Sequence, residues 1–452
     1  MRAAPLDLSS LLVGLAAMAS CANDASEAPR VPPSVILVSI DTVRADSLSC
    51  YGGPEGATPA LDALAGVATR YETCVSSAPW TMPSHASMFT GLYPFEHGAH
   101  TFGRDDASRR DNVFALHPKI ETLAEALAAE GYRTGGVVAN TIYLRPELGM
   151  DAGFQHWDVL REDGDRVTDR ALAWLDETAG GDRPAFLFVN YMDAHRPYAT
   201  GRSDVHGGDL LNALIERVMV EGEQGGALAE EVRALQQEAV TRLDGHLATL
   251  FDGLRERGLF EDAVIVVTSD HGEAFGEHGV VEHSKDVYEE LVRVPLLVKR
   301  PGSERGDVRI ERASSVDVAG LITEALAETT AAGVAERFPR LPGAHPVLTE
   351  NHFSRAKDLR RFGDRFQRIR RAVYEGEWKL IVDSRGSVEL YDLASDAGER
   401  SDRASEEPDR AAAMESLLQA TIDATVFQGE RVLPGRLSRA QRDEMQTLGY
   451  GR

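Results

Sequence analysis

The chain has 452 residues, a formal net charge of −24 and a sequence pI near 5.0. Hydrophobic residues make up 43% of it and charged residues 27%, which is typical of a folded globular protein and excludes a largely disordered chain. The acidic balance argues against a nucleic-acid-binding protein, which needs a basic face, and three cysteines are too few for a disulfide scaffold. Beyond the N-terminus there is no apolar run of about 18 residues, so no membrane-spanning helix is predicted.

The N-terminus has the layout of an export signal. Arg2 gives it a positive end, Leu11–Ala19 is a short apolar run, and small residues precede Cys21. A cysteine in this position resembles a bacterial lipoprotein box. We therefore expect residues 1–20 to be a signal peptide, Cys21 to be the lipidated first residue of an exported periplasmic or cell-envelope protein, and residues 22–33 to be a linker. The lipid anchor is then the expected contact with a membrane.

The next part of the chain alternates apolar strand patterns with helical patterns, which predicts βαβ units and a large, mainly parallel sheet between helices. The predicted strands are Val35–Ile40, Thr134–Val138, Ala185–Val189, Val264–Thr268 and Val294–Val298. The predicted helices are Pro59–Ala68, Ile120–Glu130, Val167–Glu177, Leu228–Arg257 and Val316–Ala327. The glycine-rich region Gly201–Gly226 is expected to be an irregular loop over the site.

From about Ile369 the pattern changes to short alternating runs separated by turns, which predicts antiparallel hairpins. The runs are Arg371–Tyr374, Trp378–Val382 and Val388–Leu390, and a last helix is predicted over Pro408–Ala424. We therefore divide the chain into a catalytic α/β domain over residues 34–365 and a small C-terminal α+β subdomain over residues 366–452.

Three clusters of polar residues carry the candidate chemistry, because ligands of parallel sheets sit beyond the carboxyl ends of the strands. Asp41 follows the first predicted strand, and Asp270 and His271 follow the strand Val264–Thr268. The third cluster is the segment 78–87, which contains Thr81. Carboxylates and an imidazole from different strand ends can converge on a cation.

Taken together, these motifs resemble the sulfatase family of the alkaline phosphatase superfamily. The resemblance extends over about residues 34–425 and rests on the segments 39–52, 83–91, 191–198, 266–279 and 283–295. It implies an alkaline-phosphatase-like fold, a metal ion and hydrolysis of sulfate or phosphate esters.

The chain departs from the family pattern at the nucleophile. Sulfatases carry there a cysteine or serine that is oxidised to formylglycine, whereas the motif puts Thr81 at this position. Oxidised threonine would be a ketone, so no formylglycine is expected. The arginine of the motif is His85, and the usual second aspartate beside Asp41 is Thr42.

The remaining metal set is Asp41, Thr81, Asp270 and His271, which is similar to the single-metal sites of phosphoethanolamine transferases and lipoteichoic acid synthases. There a threonine is both metal ligand and nucleophile. A divalent cation stabilises an alkoxide that is otherwise too basic to form at neutral pH. This donor set suits Zn²⁺ or Mn²⁺, and the missing aspartate should weaken binding of the Ca²⁺ that family sulfatases use.

Several further residues are expected to contact the substrate. His195 matches the family's His-x-Pro-Tyr motif and is a candidate acid or anion donor. Either His283 or Lys285 occupies the position of a further anion-binding or acid residue. His85 is expected to donate to the anion in place of arginine, and Asn140 to line the pocket.

Three functions remain open from the sequence. The first is an exported, metal-dependent hydrolase of sulfate or phosphate esters that acts through Thr81 on an anionic glycan, lipid or small molecule. The second is a transferase of phospho-headgroups, and the third is a degenerate sulfatase that binds an anionic glycan without turnover.

Overall fold

The computed structural model describes residues 31–101, 113–161, 163–177, 183–201, 207–327, 333–424 and 431–433. The predicted signal peptide, Cys21 and most of the linker lie outside the described residues. Among the described helices, none combines the length and the apolar character needed to cross a membrane.

The fold is α/β, with a large mixed sheet flanked by helices and a small antiparallel sheet near the C-terminus, as the sequence predicted. The strands are β1 Val35–Ile40, β2 Thr69–Tyr71, β3 Cys74–Val75, β4 Arg133–Val138, β5 His156–Val159, β6 Ala185–Tyr191, β7 Val264–Thr268, β8 Ala274–Phe275, β9 Val281–Glu282, β10 Arg293–Val294, β11 Leu296–Lys299, β12 Asp307–Arg309, β13 Ala313–Ser314, β14 Val347–Asn351, β15 Arg370–Glu375, β16 Trp378–Asp383 and β17 Val388–Asp392.

The helices surround both faces of the large sheet. They are α1 Pro59–Ala65, α2 Thr81–Thr90, α3 Pro94–His97, α4 Leu123–Ala129, α5 Gly164–Glu177, α6 Gly207–Ile215, α7 Ala227–Glu256, α8 Glu289–Val292, α9 Val318–Ala327, α10 Ala356–Phe362 and α11 Pro408–Asp423.

The large sheet has eight strands in the order β12-β2-β11-β7-β1-β6-β4-β5. Its centre, from β7 to β5, is parallel, and β11 joins β7 antiparallel. Strand β1 is buried along its whole length, as are its neighbours β6 and β7. Continuous apolar runs occur there because helices cover both faces of a parallel sheet.

The small sheet has the order β14-β15-β16-β17 and is antiparallel throughout. The three hairpin strands and the last helix were predicted to within two residues at each end. The first strand, β14, was not predicted.

Two local predictions were wrong. The described part of Gly201–Gly226, Gly201 and residues 207–226, is not an irregular loop, because α6 and a following π-helical segment, Glu216–Val220, occupy much of it. Leu211, Leu214 and Ile215 are buried there, and this spacing of apolar residues is the helical one. The predicted strand Val294–Val298 is divided into β10 and β11 at Pro295, which has no N–H for a sheet hydrogen bond.

Two glycines let aromatic rings lie directly against the sheet. A Cβ on Gly136 in β4 would overlap the Trp157 ring on neighbouring β5, and one on Gly135 would overlap the Trp174 ring from α5. The indole rings therefore occupy the volume that side chains on β4 would need.

We expect Gly136→Ala to lower the free energy of unfolding by about 1–3 kcal/mol, because a rigid ring must move. Gly245→Ala is the matched control: Gly245 is exposed within α7, and nothing lies within 4 Å of an added Cβ. It should stabilise the chain by about 0.5–1 kcal/mol. Urea unfolding measures both, and equal effects of the two changes would contradict this account.

Candidate active site

Two aspartates meet at the carboxyl edge of the central strands. Asp41 directly follows β1 and Asp270 comes two residues after β7, while Ser39 of β1 pairs with Thr268 of β7. Both carboxylates are fully buried. Asp41 Oδ1 and Asp270 Oδ2 have no hydrogen-bond partner among the described residues. Two unpaired carboxylate oxygens therefore lie at one point of the sheet edge.

The turn after β1 fixes the Asp270 carboxylate. Asp270 Oδ1 accepts hydrogen bonds from the backbone N–H of Thr42 at 3.2 Å and of His271 at 2.9 Å. Thr42 has a left-handed φ of 62°, and its hydroxyl donates to the carbonyl of Asp41 at 2.7 Å. The Thr42 side chain thus serves the turn itself.

His271 completes a group of three possible metal ligands. Its Nδ1 lies 2.8 Å from the carbonyl oxygen of Gly272, so Nδ1 carries the proton and Nε2 has a lone pair to offer. Nε2 lies 3.4 Å from Asp270 Oδ2 and 3.8 Å from Asp41 Oδ1. Ligand atoms of all three residues lie within 4.8 Å of one another.

The group is electrostatically strained. Burial, followed by repulsion from Asp270, raises the pKa of Asp41 to about 8. Burial raises the pKa of Asp270 to about 7 although backbone N–H groups bind it. Burial also lowers the pKa of His271, which favours the neutral imidazole. The folded chain therefore disfavours two ionised carboxylates here unless a positive charge compensates them.

Thr81 begins helix α2 beside this group and is buried. Its hydroxyl is close enough to the Asp270 carboxylate to lower the pKa of that group, and its Oγ1 lies 3.3 Å from Asn140 Nδ2. The structure therefore places Thr81 beside Asp41, Asp270 and His271, the other residues of the expected metal set.

Asn140 orients this contact from the loop after β4. Its Oδ1 accepts from the backbone N–H of Ile142 at 3.3 Å and of Tyr143 at 2.9 Å. The amide nitrogen must then point the other way, to Asp41 Oδ2 at 3.0 Å and to Thr81 Oγ1. The structure places Asn140 beside Asp41 and Thr81, where it fixes the carboxylate and the hydroxyl relative to each other.

His85 lies one helical turn beyond Thr81 and is enclosed. Its Nδ1 is 2.8 Å from the carbonyl of Thr81 and its Nε2 is 2.9 Å from Ser39 Oγ. Burial lowers its pKa to about 3. With both nitrogens engaged by the protein and a neutral ring, His85 supports the start of α2, and this geometry disfavours the predicted role as an anion donor.

His195 and His283 form one wall of the site next to His271. The His283 ring centroid lies 4.5 Å from that of His271 and 5.3 Å from that of His195. Burial lowers the pKa of His195 to about 3 and that of His283 well below its ordinary value. Both rings are therefore neutral. They lie close enough to His271 to exchange a proton with a substrate bound beside Asp41, Asp270 and His271.

The sequence did not identify the partner of His283. Glu273 Oε1 lies 3.0 Å from His283 Nδ1, and burial raises the pKa of Glu273 well above its ordinary value. Glu273 follows His271 by two residues in the same segment, which was the available signal. It holds the His283 ring in one orientation.

The Lys285 ammonium group binds Glu282 and the backbone of its own segment. Its Nζ lies 3.1 Å from Glu282 Oε2 and 3.1 Å from the carbonyl of His283. Of the two alternatives left open by the sequence, His283 therefore lies against the triad in this arrangement, and the lysine braces the segment that carries it.

Arg355 was also missed, because it lies outside the segments on which the family resemblance rests. Its guanidinium binds the Tyr143 hydroxyl at 3.1 Å and Ser284 Oγ at 2.8 Å, so it bridges the loops that carry Asn140 and His283. Asn190, at the end of β6, was missed as well; its Oδ1 accepts from the N–H of Asn140 at 3.0 Å.

Comparisons with known proteins agree with this fold. The model of the Sulfatase family matches residues 33–327. The chain is 26% identical over 304 residues to the ulvan-active sulfatase of Formosa agariphila, a match that covers 60% of this chain and 57% of that relative, which is less than two thirds of its length.

Two solved structures share the fold. BT4656, in complex with its substrate D-glucosamine-2-N,6-O-disulfate, superposes with a TM-score of 0.64 at 18% identity over 87% of this chain and 98% of that one. The phosphonate monoester hydrolase of Silicibacter pomeroyi superposes with a TM-score of 0.62 at 18% identity over 88% and 96%.

The family match spans well over half of the sequence, from just before β1 to the end of α9. The chain therefore belongs to the Sulfatase family.

Proposed function

We propose that this chain is a metal-dependent hydrolase of sulfate or phosphate esters on anionic glycans, with Thr81 as its nucleophile and without formylglycine. The observation that carries the proposal is the convergence of three buried ligand atoms, from Asp41, Asp270 and His271, beside the Thr81 hydroxyl.

The side chains fit a divalent cation. Asp41 Oδ1, Asp270 Oδ2 and His271 Nε2 are all buried and lack hydrogen-bond partners among the described residues, a costly arrangement unless something positive binds them. Two carboxylate oxygens, an imidazole nitrogen and a hydroxyl are a donor set that suits Zn²⁺ or Mn²⁺. A cation held there would polarise the ester and lower the pKa of the Thr81 hydroxyl.

The first step uses groups already in contact. Thr81 Oγ1 attacks the ester sulfur or phosphorus and its proton passes to the neighbouring Asp270 carboxylate. Asn140 Nδ2 holds Oγ1 in position. The bond to the alcohol breaks, and the leaving oxygen takes a proton from His195 or His283, which takes up that proton from solvent when the anionic ester binds and raises its pKa.

The second step releases the acid from Thr81. A water molecule attacks the sulfo- or phospho-threonine, and a neutral imidazole of the same pair accepts its proton. Glu273 keeps the His283 ring aimed at the triad. The bond to Thr81 Oγ1 breaks, and Asp270 returns its proton to that oxygen, which restores the hydroxyl.

The substrate class follows from what related proteins act on. One relative is named an ulvan-active sulfatase, and one structural neighbour holds a disulfated glucosamine as its substrate. The phosphonate monoester hydrolase supports phosphorus esters as a second class. A site with neutral histidines and a cation accommodates either tetrahedral anion.

Replacement of Thr81 tests the nucleophile. We expect Thr81→Val, which keeps the shape and removes the hydroxyl, to lower kcat at least about 1,000-fold, whereas Thr81→Ser should stay within about tenfold. Aryl sulfate, aryl phosphate and aryl phosphonate are assayed with the full chain and Zn²⁺, Mn²⁺ or Ca²⁺.

Full activity of Thr81→Val would exclude the threonine mechanism. If the wild-type chain turned over none of these esters but bound sulfated oligosaccharides, the degenerate binder would be the better description. Mass spectrometry of the tryptic peptide containing Thr81 should give the mass of the unmodified residue. A mass lower by two hydrogens would mean that Thr81 is oxidised and would contradict the proposal.

The aspartate pair predicts the pH dependence of stability in the metal-free chain. The folded chain raises the pKa of Asp41 to about 8 and of Asp270 to about 7, above the 3.8 of an ordinary aspartate. Their stabilising contribution is therefore complete below about pH 4 and is lost as pH rises through 7 to 8. Between about pH 4 and those folded-state pKa values the free energy of unfolding should fall by on the order of 1 kcal/mol per pH unit for each carboxylate, and above about pH 8 this contribution to the slope should vanish.

Chemical unfolding in EDTA at several pH values measures this slope. Asp270→Asn should make it shallower, and added Zn²⁺ should reverse it, since the metal takes the place of the protons. A metal-free chain that gained stability between about pH 6 and pH 9 would refute the assignment.

Metal preference tests the role of position 42. We expect Zn²⁺ and Mn²⁺ to bind more tightly than Ca²⁺, because the site lacks the second aspartate of family sulfatases. Thr42→Asp should raise the affinity for Ca²⁺ relative to Zn²⁺, and its left-handed φ is one that aspartate adopts readily. Thr42→Asn is the neutral control, and titration calorimetry is the measurement. A Ca²⁺ preference in the wild-type chain would refute the prediction.

A further inference from the structure

A second cluster of possible ligands lies outside the site described above. A cavity of about 560 Å³ opens between the segment after β8, helix α8 and the segment after β17, and His278, Glu290 and Glu399 line it. Ligand atoms of these three residues lie within 4.8 Å of one another. The cluster thus joins the neighbouring segments that carry His278 and Glu290 to the distant one that carries Glu399.

The separation of its ligand atoms is similar to that in the group formed by Asp41, Asp270 and His271. His278 Nε2 lies 3.8 Å from Glu290 Oε2, the same distance as between His271 Nε2 and Asp41 Oδ1. Glu290 is 8% exposed and Glu399 is 1% exposed. An imidazole and two buried carboxylates are an ordinary set of protein ligands for zinc or manganese.

Glu290 points to a missing partner. Its Oε1 is buried and has no hydrogen-bond partner among the described residues, and its Oε2 lies 3.8 Å from His278 Nε2. A buried carboxylate in this state needs either a proton or a cation.

The other two side chains are held in place. His278 adopts a left-handed φ of 52° and stacks on the Tyr288 ring with centroids 3.7 Å apart. Glu399 Oε2 accepts from the N–H of Glu289 at 2.6 Å, and its Oε1 lies 2.7 Å from Lys379 Nζ. Each carboxylate oxygen keeps a second lone pair, so these contacts fix Glu399 and leave it able to bind a metal.

The charge of the cavity also favours a cation. Six carboxylates line it against four guanidinium groups. Two of the carboxylates, Asp46 and Glu277, are already paired with Arg44. Glu290 is the carboxylate beside the histidine that lacks such a close partner.

We propose that His278, Glu290 and Glu399 bind a second divalent cation, zinc or manganese, with water from the cavity completing its coordination. The cation would tie the segment that follows β17 to the loop after β8 and to α8. It would therefore stabilise the attachment of the small C-terminal sheet and take no part in ester hydrolysis. The inference does not depend on the proposed function.

Metal counting by mass spectrometry tests it on the full chain, after EDTA treatment and equilibrium dialysis against dilute Zn²⁺. We expect two equivalents in the wild-type chain, and one each in His278→Ala, Glu290→Gln and Asp270→Asn. The double variant with Asp270→Asn and Glu290→Gln should bind none. His117→Ala, a change of another histidine outside the cluster, is the matched control and should keep two.

Stability supplies a second readout. In the Asp270→Asn background, Zn²⁺ should raise Tm, and Glu290→Gln should abolish that rise while leaving the metal-free chain folded by circular dichroism. One equivalent in the wild-type chain together with none in Asp270→Asn would overturn the proposal. So would two equivalents in both His278→Ala and Glu290→Gln. These results are distinct from a failure of Thr81 catalysis, because no turnover is measured.

Discussion

The site rests on two buried carboxylates that repel each other. Asp41 and Asp270 lie at the ends of adjacent parallel strands, and each leaves one oxygen unpaired among the described residues. The nearby backbone N–H groups and Asn140 bind only their other oxygens. The remaining charge can be neutralised by protons or by a cation, and His271 presents an unprotonated nitrogen toward the same point. A bound cation would therefore relieve the repulsion between the Asp41 and Asp270 carboxylates.

Rigid elements keep this costly arrangement together. Strands β1 and β7 are buried along their whole length, and α2 begins at Thr81 with Ser84 bonded to the carbonyl of Asp270 at 2.7 Å. The hydroxyl, the carboxylates and the imidazole therefore cannot relax apart without disturbing the core. The cluster around Glu290 has the same character, since a buried carboxylate is again short of partners.

Much of the fold could be predicted from the sequence because strands covered on both faces are continuously apolar. Strands β1 and β7 were predicted with their observed bounds, and α7 to within one residue at each end. Short strands such as β2 and β3 were missed, because two or three residues show no periodicity of their own. The helical part of Gly201–Gly226 was hidden by its glycines, although the apolar spacing at Leu211, Leu214 and Ile215 indicates a helix.

The sequence by itself determined the ligand types and the threonine at the start of α2, because these follow from motifs within a few residues. Tertiary structure alone decided what each side chain faces. The contact between Thr42 and Asp270 joins residues 228 positions apart, and that between Asn140 and Asp41 joins residues 99 apart. The enclosure of His85, the turn of Lys285 toward Glu282 and the unpaired oxygen of Glu290 likewise depend on packing between distant segments, which no local pattern encodes.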